Sequence, residues 1–150
     1  MSKMYVVIGA PGCGKSTFIK NHKKDKELVI SRDVIRFSLI TDTDDYFSKE
    51  DEVYDIFIKQ IQMAIDHNVD FYIDQTSLNK KARTKLFSRL EHLPEEVIAI
   101  YIKKPLDVIL KQNAQRTGRT LVPKDAVINM YNSIEKPEKY EGFTEIWTIE

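Results

Sequence analysis

"MYVVIGAPGCGKSTFIKNH", residues 4–22, decides how the rest of the chain is read. Its apolar run, Met4 to Ile8, is too short for a helix and stops at a Gly/Pro turn, so it reads as a buried strand. "GAPGCGKS", Gly9 to Ser16, then fits G-x-x-x-x-G-K-[ST] at every fixed position. Glycine at Gly9, Gly12 and Gly14 lets the backbone wrap a phosphate with its N–H groups pointing inward. Lys15 has the reach for the outer phosphates of a nucleotide, and the Ser16 hydroxyl suits Mg²⁺. "KSTFIKNH" (15–22) starts a helix whose positive end faces the same point. A strand before and a helix after are what separate a phosphate loop from a chance glycine turn. Cys13 fills a variable slot among these nucleotide-binding positions, a small residue in a tight loop, with a thiol that could be oxidised.

Outward from the loop, strands alternate with helices. "ELVI" (27–30) is a second strand and "DVIRFSLI" (33–40) a short helix. "TDTDDYFSKEDE" (41–52) is an exposed acidic loop, and Ser48 with Asp51 has capping-box spacing. The helix they would open carries Val53, Phe57, Ile61 and Ile65 on one face. "DFYID" (70–74) is the third strand, and "NKKARTKLFSRL" (79–90) a helix capped by Asn79 with Ala82, Leu86 and Leu90 inward. "EVIAIYI" (96–102) is the fourth strand. "PLDVILKQNAQR" (105–116) and "PKDAVINMYNSIEK" (123–136) are helices, the first with proline in its first turn. "FTEIWTI" (143–149) closes the chain as a fifth strand, with Trp147 expected in the core. The alternation predicts an α/β fold: a mainly parallel sheet of about five strands with helices on both faces.

Length and composition bound what this fold can do. The 150 residues suit one domain spanning 1–150. With 42% hydrophobic and 31% charged residues the chain reads as globular. No apolar run approaches the roughly 20 residues of a spanning helix, so no membrane partner is expected. The N-terminus has too few apolar residues for a signal-peptide core. A single cysteine excludes an internal disulfide framework and fits a reducing cytoplasm. The 23 basic and 23 acidic residues cancel, so any nucleic-acid contact must rest on local basic patches. Oligomeric state leaves no trace in the sequence.

"ISRDVIR", residues 30–36, places Asp33 and Arg36 one helical turn apart where the second strand ends. Two readings stand side by side. Asp33 is a helix cap with Arg36 as its i,i+3 partner. Alternatively, because ligands of an open parallel sheet bind beyond the carboxyl ends of its strands, Asp33 takes the proton of an attacking hydroxyl and Arg36 holds an anionic substrate.

"GAPGCGKST", "SRDVIR", "DQTSLN" and "NAQRTGRTLVP", in this order and spacing, resemble the kinase domain of phage polynucleotide 5′-kinase/3′-phosphatase, a P-loop kinase. The resemblance covers nearly the whole chain. It implies the P-loop kinase fold, with ATP as phosphate donor, Mg²⁺, and a DNA or RNA 5′-hydroxyl end as acceptor. By that resemblance Lys15, Ser16 and Thr17 bind the ATP phosphates and Mg²⁺. Asp33 is the general base, and Arg36 holds the neighbouring phosphate. Arg116, on a lid over about 113–123, touches the transferring phosphoryl group.

The chain departs from that pattern in three places. An acid directly precedes the threonine in the family, whereas here Gln75 precedes Thr76 and the acid is Asp74. A one-residue shift turns a strand side chain to the opposite face, so Asp74 is assigned to the Mg²⁺ shell instead. The lid is one residue longer, leaving Arg119 a nucleotide contact without counterpart. The phosphatase motif D-x-D-G-T is absent, and no 3′-phosphatase activity is expected. Competing readings are a small-molecule kinase acting on a nucleoside, sugar or sugar nucleotide, and a non-enzymatic ATP-binding module.

Weaker signals read blandly. Lys81, Lys85 and Arg89 form an i, i+4, i+8 stripe, either a solvated helix face or a strip for a phosphate backbone. Tyr46, Phe47 and Tyr54 have core roles or stack on a base. His22, His67 and His92 have no ligand spacing.

Overall fold

The computed structural model of the chain describes residues 2–76, 79–118 and 121–150. Five strands, β1 (Lys3–Ile8), β2 (Leu28–Ser31), β3 (Phe71–Asp74), β4 (Glu96–Ile102) and β5 (Glu145–Ile149), form one sheet in the order β2-β3-β1-β4-β5. Every neighbouring pair is parallel. The central strands β1 and β4 lack polar alternation because both of their faces are covered. The helices are α1 (Lys15–His22), α2 (Arg32–Leu39), α3 (Glu50–Asp66), α4 (Lys80–Ser88), α5 (Leu106–Ala114) and α6 (Lys124–Asn132). No helix among the described residues is long and apolar enough to cross a membrane.

The period of two along β1 builds two cores. Met4, Val6 and Ile8 pack with Phe71, Ile73, Leu86 and the α3 stripe Val53, Phe57, Ile61 and Ile65. Tyr5 and Val7 face the other way, onto Phe18 and Ile19 of α1, Ile109 of α5 and Val127 of α6. Each such side chain contributes about 1.5–3 kcal/mol on burial. That stripe, not a cap, holds α3. The expected Ser48–Asp51 box is not formed, because Ser48 lies in the preceding turn and Lys49 is the N-cap without a side-chain bond. Three acids, Glu50, Asp51 and Glu52, complement the positive helix end instead. On α4 the Asn79 cap forms as expected, its side chain accepting from the Ala82 N–H at 2.8 Å.

Trp147 corrects another expectation. It stays 36% exposed, tilted over Tyr5 at 5.9 Å, because β5 is the edge strand and has a neighbour on one side only. Arg83 runs the other way. It is fully buried on α4, its Nε donating to Glu141 at 2.7 Å and its Nη2 to the Glu135 carbonyl at 2.9 Å. It ties α4 to the 3₁₀ turn at Lys139–Glu141.

Register sets the place of the site. Asp74 pairs with Val7 of β1 on one side and Ser31 of β2 on the other. The exits of β1, β2 and β3 therefore lie side by side, and the phosphate loop, α2 and Asp74 meet at one edge of the sheet.

Candidate active site

The loop after β1 is shaped by two glycines in the left-handed region, Gly12 at φ 90° and Gly14 at φ 97°. A Cβ on Gly12 would also sit 2.6 Å from the Ile109 carbonyl, so the loop lies directly against α5. Gly14 is the N-cap of α1 and turns the chain so that Lys15 and Ser16 open the helix. The Lys15 ammonium lies over the loop and donates to the Gly9 carbonyl at 2.9 Å. Thr17 is exposed on the first turn. Cys13 points inward, under Gly9. Burial pushes its thiol up against the pull of Lys15, which favours the protonated form. The protonated thiol is the less reactive form toward oxidants.

Asp74 ends β3 beside this loop. Burial pushes its carboxyl up, Asp33 nearby adds to that, and Lys15, Arg116 and a hydrogen bond from the Ser16 hydroxyl pull it down. One carboxyl group thus senses four of the residues expected at the site. Ser16 and Asp74 offer two oxygen donors side by side. Among the described residues no cluster of three or more His, Cys, Asp or Glu comes together. That sparse oxygen set fits Mg²⁺, which takes one or two protein oxygens and completes its shell with phosphates and water.

Asp33 stands on the first turn of α2, its side chain 65% exposed. It is not the cap. Ser31 caps α2, its hydroxyl accepting from the Val34 N–H at 3.2 Å. Asp33 instead pairs with Arg36 Nη1 and accepts from the Tyr46 hydroxyl at 3.2 Å. Arg36 is buried, and a carboxylate missed in the sequence grips its guanidinium. Glu50, the first residue of α3, accepts from Arg36 Nε at 3.0 Å and Nη2 at 2.8 Å. It also takes Arg32 Nη2 at 2.6 Å. Burial alone would raise the Glu50 carboxyl, but Arg36 and Arg32 outweigh it and hold it below its ordinary range. Tyr46 packs on this cluster, so its base-stacking reading gives way to a supporting one: Arg36 sits over its ring at 4.5 Å and bonds its hydroxyl at 2.9 Å.

The segment from α5 onward is held by Asn113, the buried first residue of the "NAQRTGRTLVP" motif, for which the sequence suggested no role. Its amide donates to the Val122 carbonyl at 2.6 Å and accepts from the Val122 N–H at 3.1 Å. The two ends of the expected lid are thus clipped together. Arg116 hangs within it, half-buried, and lines a cavity of about 490 Å³ beside the phosphate loop. Gly12, Gly14, Thr17, Phe18 and His22 line it too. Phe18 and His22 stack at 3.9 Å, so His22, expected to be incidental, borders a volume of ligand size. Arg119, like Ser77 and Leu78 of the third motif, lies outside the described residues.

A family model described as an AAA domain matches residues 4–137. The chain is 28% identical over 140 residues to L-seryl-tRNA(Sec) kinase of Methanococcus maripaludis, an alignment covering 89% of this chain and 53% of that protein. The chain therefore spans about half the length of that relative. Among solved structures, a chain of the Pnkp1/Rnl/Hen1 RNA repair complex superposes with TM-score 0.75 at 20% identity, covering 88% of this chain and 43% of that one. A sugar kinase from Janibacter sp. HTCC2649 superposes with TM-score 0.70 at 17% identity, covering 99% and 86%. The fold is that of the P-loop kinases.

Proposed function

This chain belongs to the AAA domain family, and from that premise we propose that it is an ATP-dependent polynucleotide 5′-hydroxyl kinase. One observation carries the reading. The Asp33 carboxylate stands in solvent at the exit of β2, held by Arg36 and Tyr46, on the rim it shares with Lys15, Ser16 and Asp74. A carboxylate so placed accepts the proton of a hydroxyl as that hydroxyl attacks the terminal phosphoryl group of ATP.

The other residues take roles around that transfer. The loop N–H groups from Gly9 to Gly14 cradle phosphate, and Lys15 swings from the Gly9 carbonyl onto the outer phosphates. Phe18 and His22 flank the cavity that would take the nucleotide base. Ser16 and Asp74 would hold Mg²⁺, which when bound neutralises phosphate charge. Arg116 would meet the charge on the group in flight. Arg36 orients Asp33 and faces the acceptor.

A second reading is a kinase of a small neutral acceptor such as a sugar. It is favoured by the Glu50 grip on Arg36, which already balances the charge a phosphate would seek, and by the fold shared with a sugar kinase. The test is γ-labelled ATP and Mg²⁺ offered with 5′-hydroxyl oligonucleotides, nucleosides and sugars. Label on the oligonucleotide 5′ end supports the proposal. Label on a sugar or nucleoside alone replaces it with the second reading. ATP binding with no label on any acceptor makes the chain a nucleotide-binding module.

A further inference from the structure

The stripe of Lys81 and Lys85 on α4 and Arg89 at its C-cap does not simply face solvent. Three cations from two helices converge on one ring: Arg32 Cζ of α2 lies 4.8 Å from the Tyr54 centroid, Lys85 Nζ 4.8 Å and Arg89 Cζ 5.2 Å. Tyr54 is a buried residue of α3. A cation over an aromatic face is attracted to it, but three like charges around one ring also repel each other. Carboxylates offset this in part. Glu50 takes Arg32 at 2.6 Å and Asp55 takes Arg89 at 2.9 Å. Among the described residues no carboxylate lies within ion-pair distance of Lys85. A solvated helix face would let these long side chains spread apart. Their convergence leaves one exposed lysine without an acid and a neighbouring guanidinium with an unsatisfied, buried Nε, that of Arg32.

The strip also has a direction. Arg32 Nη1 reaches Gln75 at the exit of β3, at 3.4 Å, and Arg32 directly precedes Asp33. From the acceptor side of the site the positive charge runs over Tyr54 to Lys85 and Arg89. Lys81, exposed one turn earlier on α4, widens it.

Resting on the polynucleotide reading above, we propose that Arg32, Lys85 and Arg89, gathered on Tyr54, form a track for the phosphodiester backbone of the acceptor strand beyond its 5′-terminal nucleotide. A chain with no net charge would then bind its polyanionic substrate through this local strip. Short acceptors would reach Asp33 without using it.

The test is the double variant Lys85→Ala/Arg89→Ala, both positions being exposed, with a melting curve as the folding control. Its binding to a 5′-hydroxyl single strand is followed against salt, and its kinetics are compared on that strand and on a nucleoside 3′-monophosphate. A single strand gives a log–log slope of about −0.7 per phosphate neutralised. The slope is expected to become shallower by about 0.7–1.4, about 0.7 per lost contact, and KM for the strand to rise. KM and kcat for the nucleoside 3′-monophosphate and KM for ATP should hold. Lys85→Arg/Arg89→Lys, which keeps both charges, should restore the wild-type slope. Either an unchanged slope and KM, or equal losses on both acceptors, overturns the track while leaving the kinase reading in place. A wild-type protein that phosphorylates small acceptors but neither binds nor phosphorylates any oligonucleotide overturns both.

Discussion

Two buried arginines, Arg83 on α4 and Arg36 on α2, each grip a glutamate through two nitrogens. Arg83 holds both oxygens of Glu141, at 2.7 and 3.2 Å. Arg36 holds both oxygens of Glu50, at 3.0 and 2.8 Å. The forks are alike and their surroundings are not. The Glu141 side chain is buried with its arginine, and Arg83 adds a backbone carbonyl inside the fold. Arg36 instead adds Asp33 and Tyr46, and Asp33 opens to solvent. An enclosed ion pair ties elements together, and removing one partner strands the other. A buried cation whose last partner is an exposed carboxylate can aim that carboxylate at a ligand. Bidentate geometry does not separate a structural pair from a candidate site. The exposure of the next partner does.

The largest expected effect tests the open end. Asp33→Asn keeps size and removes proton acceptance. Because Ser31 already caps α2, the melting temperature and ATP binding should hold. Turnover should fall by roughly 10²–10⁴, about 2.7–5.4 kcal/mol of barrier. Retention of more than about a tenth of wild-type turnover would lie outside the general-base range and make Asp33 another structural partner of Arg36.

Arg83→Ala should show the reverse split. Urea unfolding should reveal a loss of about 3–5 kcal/mol, the cost of stranding a buried carboxylate. Turnover per folded molecule should stay near wild type. A variant that folds normally but turns over poorly would move Arg83 into the functional class.

Acid titration sharpens the role of Glu50. Its folded carboxyl is held below the ordinary 4.5 by Arg36 and Arg32 acting against burial. A depressed acid contributes stability that is fully present above its unfolded pKa and lost as pH falls through the folded value. Wild type should therefore exceed Glu50→Gln in stability near neutral pH. The gap should close as the solution is acidified below about 4.5, the ordinary value of the group. A gap constant through acid would mean that the carboxylate charge is not what holds the two guanidinium groups.

The smallest effect concerns the salt dependence of binding at Arg36. If it touches acceptor phosphate while held by Glu50, Arg36→Ala should make the salt slope of oligonucleotide binding shallower by up to about 0.7. An unchanged slope, with oligonucleotide still bound, would confine Arg36 to positioning Asp33.

Much of the fold could be read in advance because it rests on local chemistry. The loop "GAPGCGKS" needs glycine where the backbone turns through positive φ, and Gly12 and Gly14 do adopt it. The apolar run of β4, Glu96–Ile102, matches its expected bounds, since burial on both faces leaves no other use for "EVIAIYI". The α3 stripe follows from a helical period that needs no partner to be visible. Asp33, Arg36 and Asp74 stood out in the sequence as candidates, and the parallel register of β2 and β3 brings Asp33 and Asp74 to one rim.

What tertiary structure alone decided involves partners far apart in the chain. Nothing local separates Glu50 from the acids around it, and only the packing of α3 on α2 brings it to Arg36, fourteen positions away. The Asn113 clip on Val122 and the Arg83 pairing with Glu141 arise the same way. Trp147 looked like a core residue by type, and the strand order put it at an edge. Local sequence specifies backbone conformation and which face is apolar, because those depend on neighbours along the chain. Which charge meets which, and which side chain stays in water, depends on strand order and helix packing. Those are settled only when distant segments bury their surfaces together.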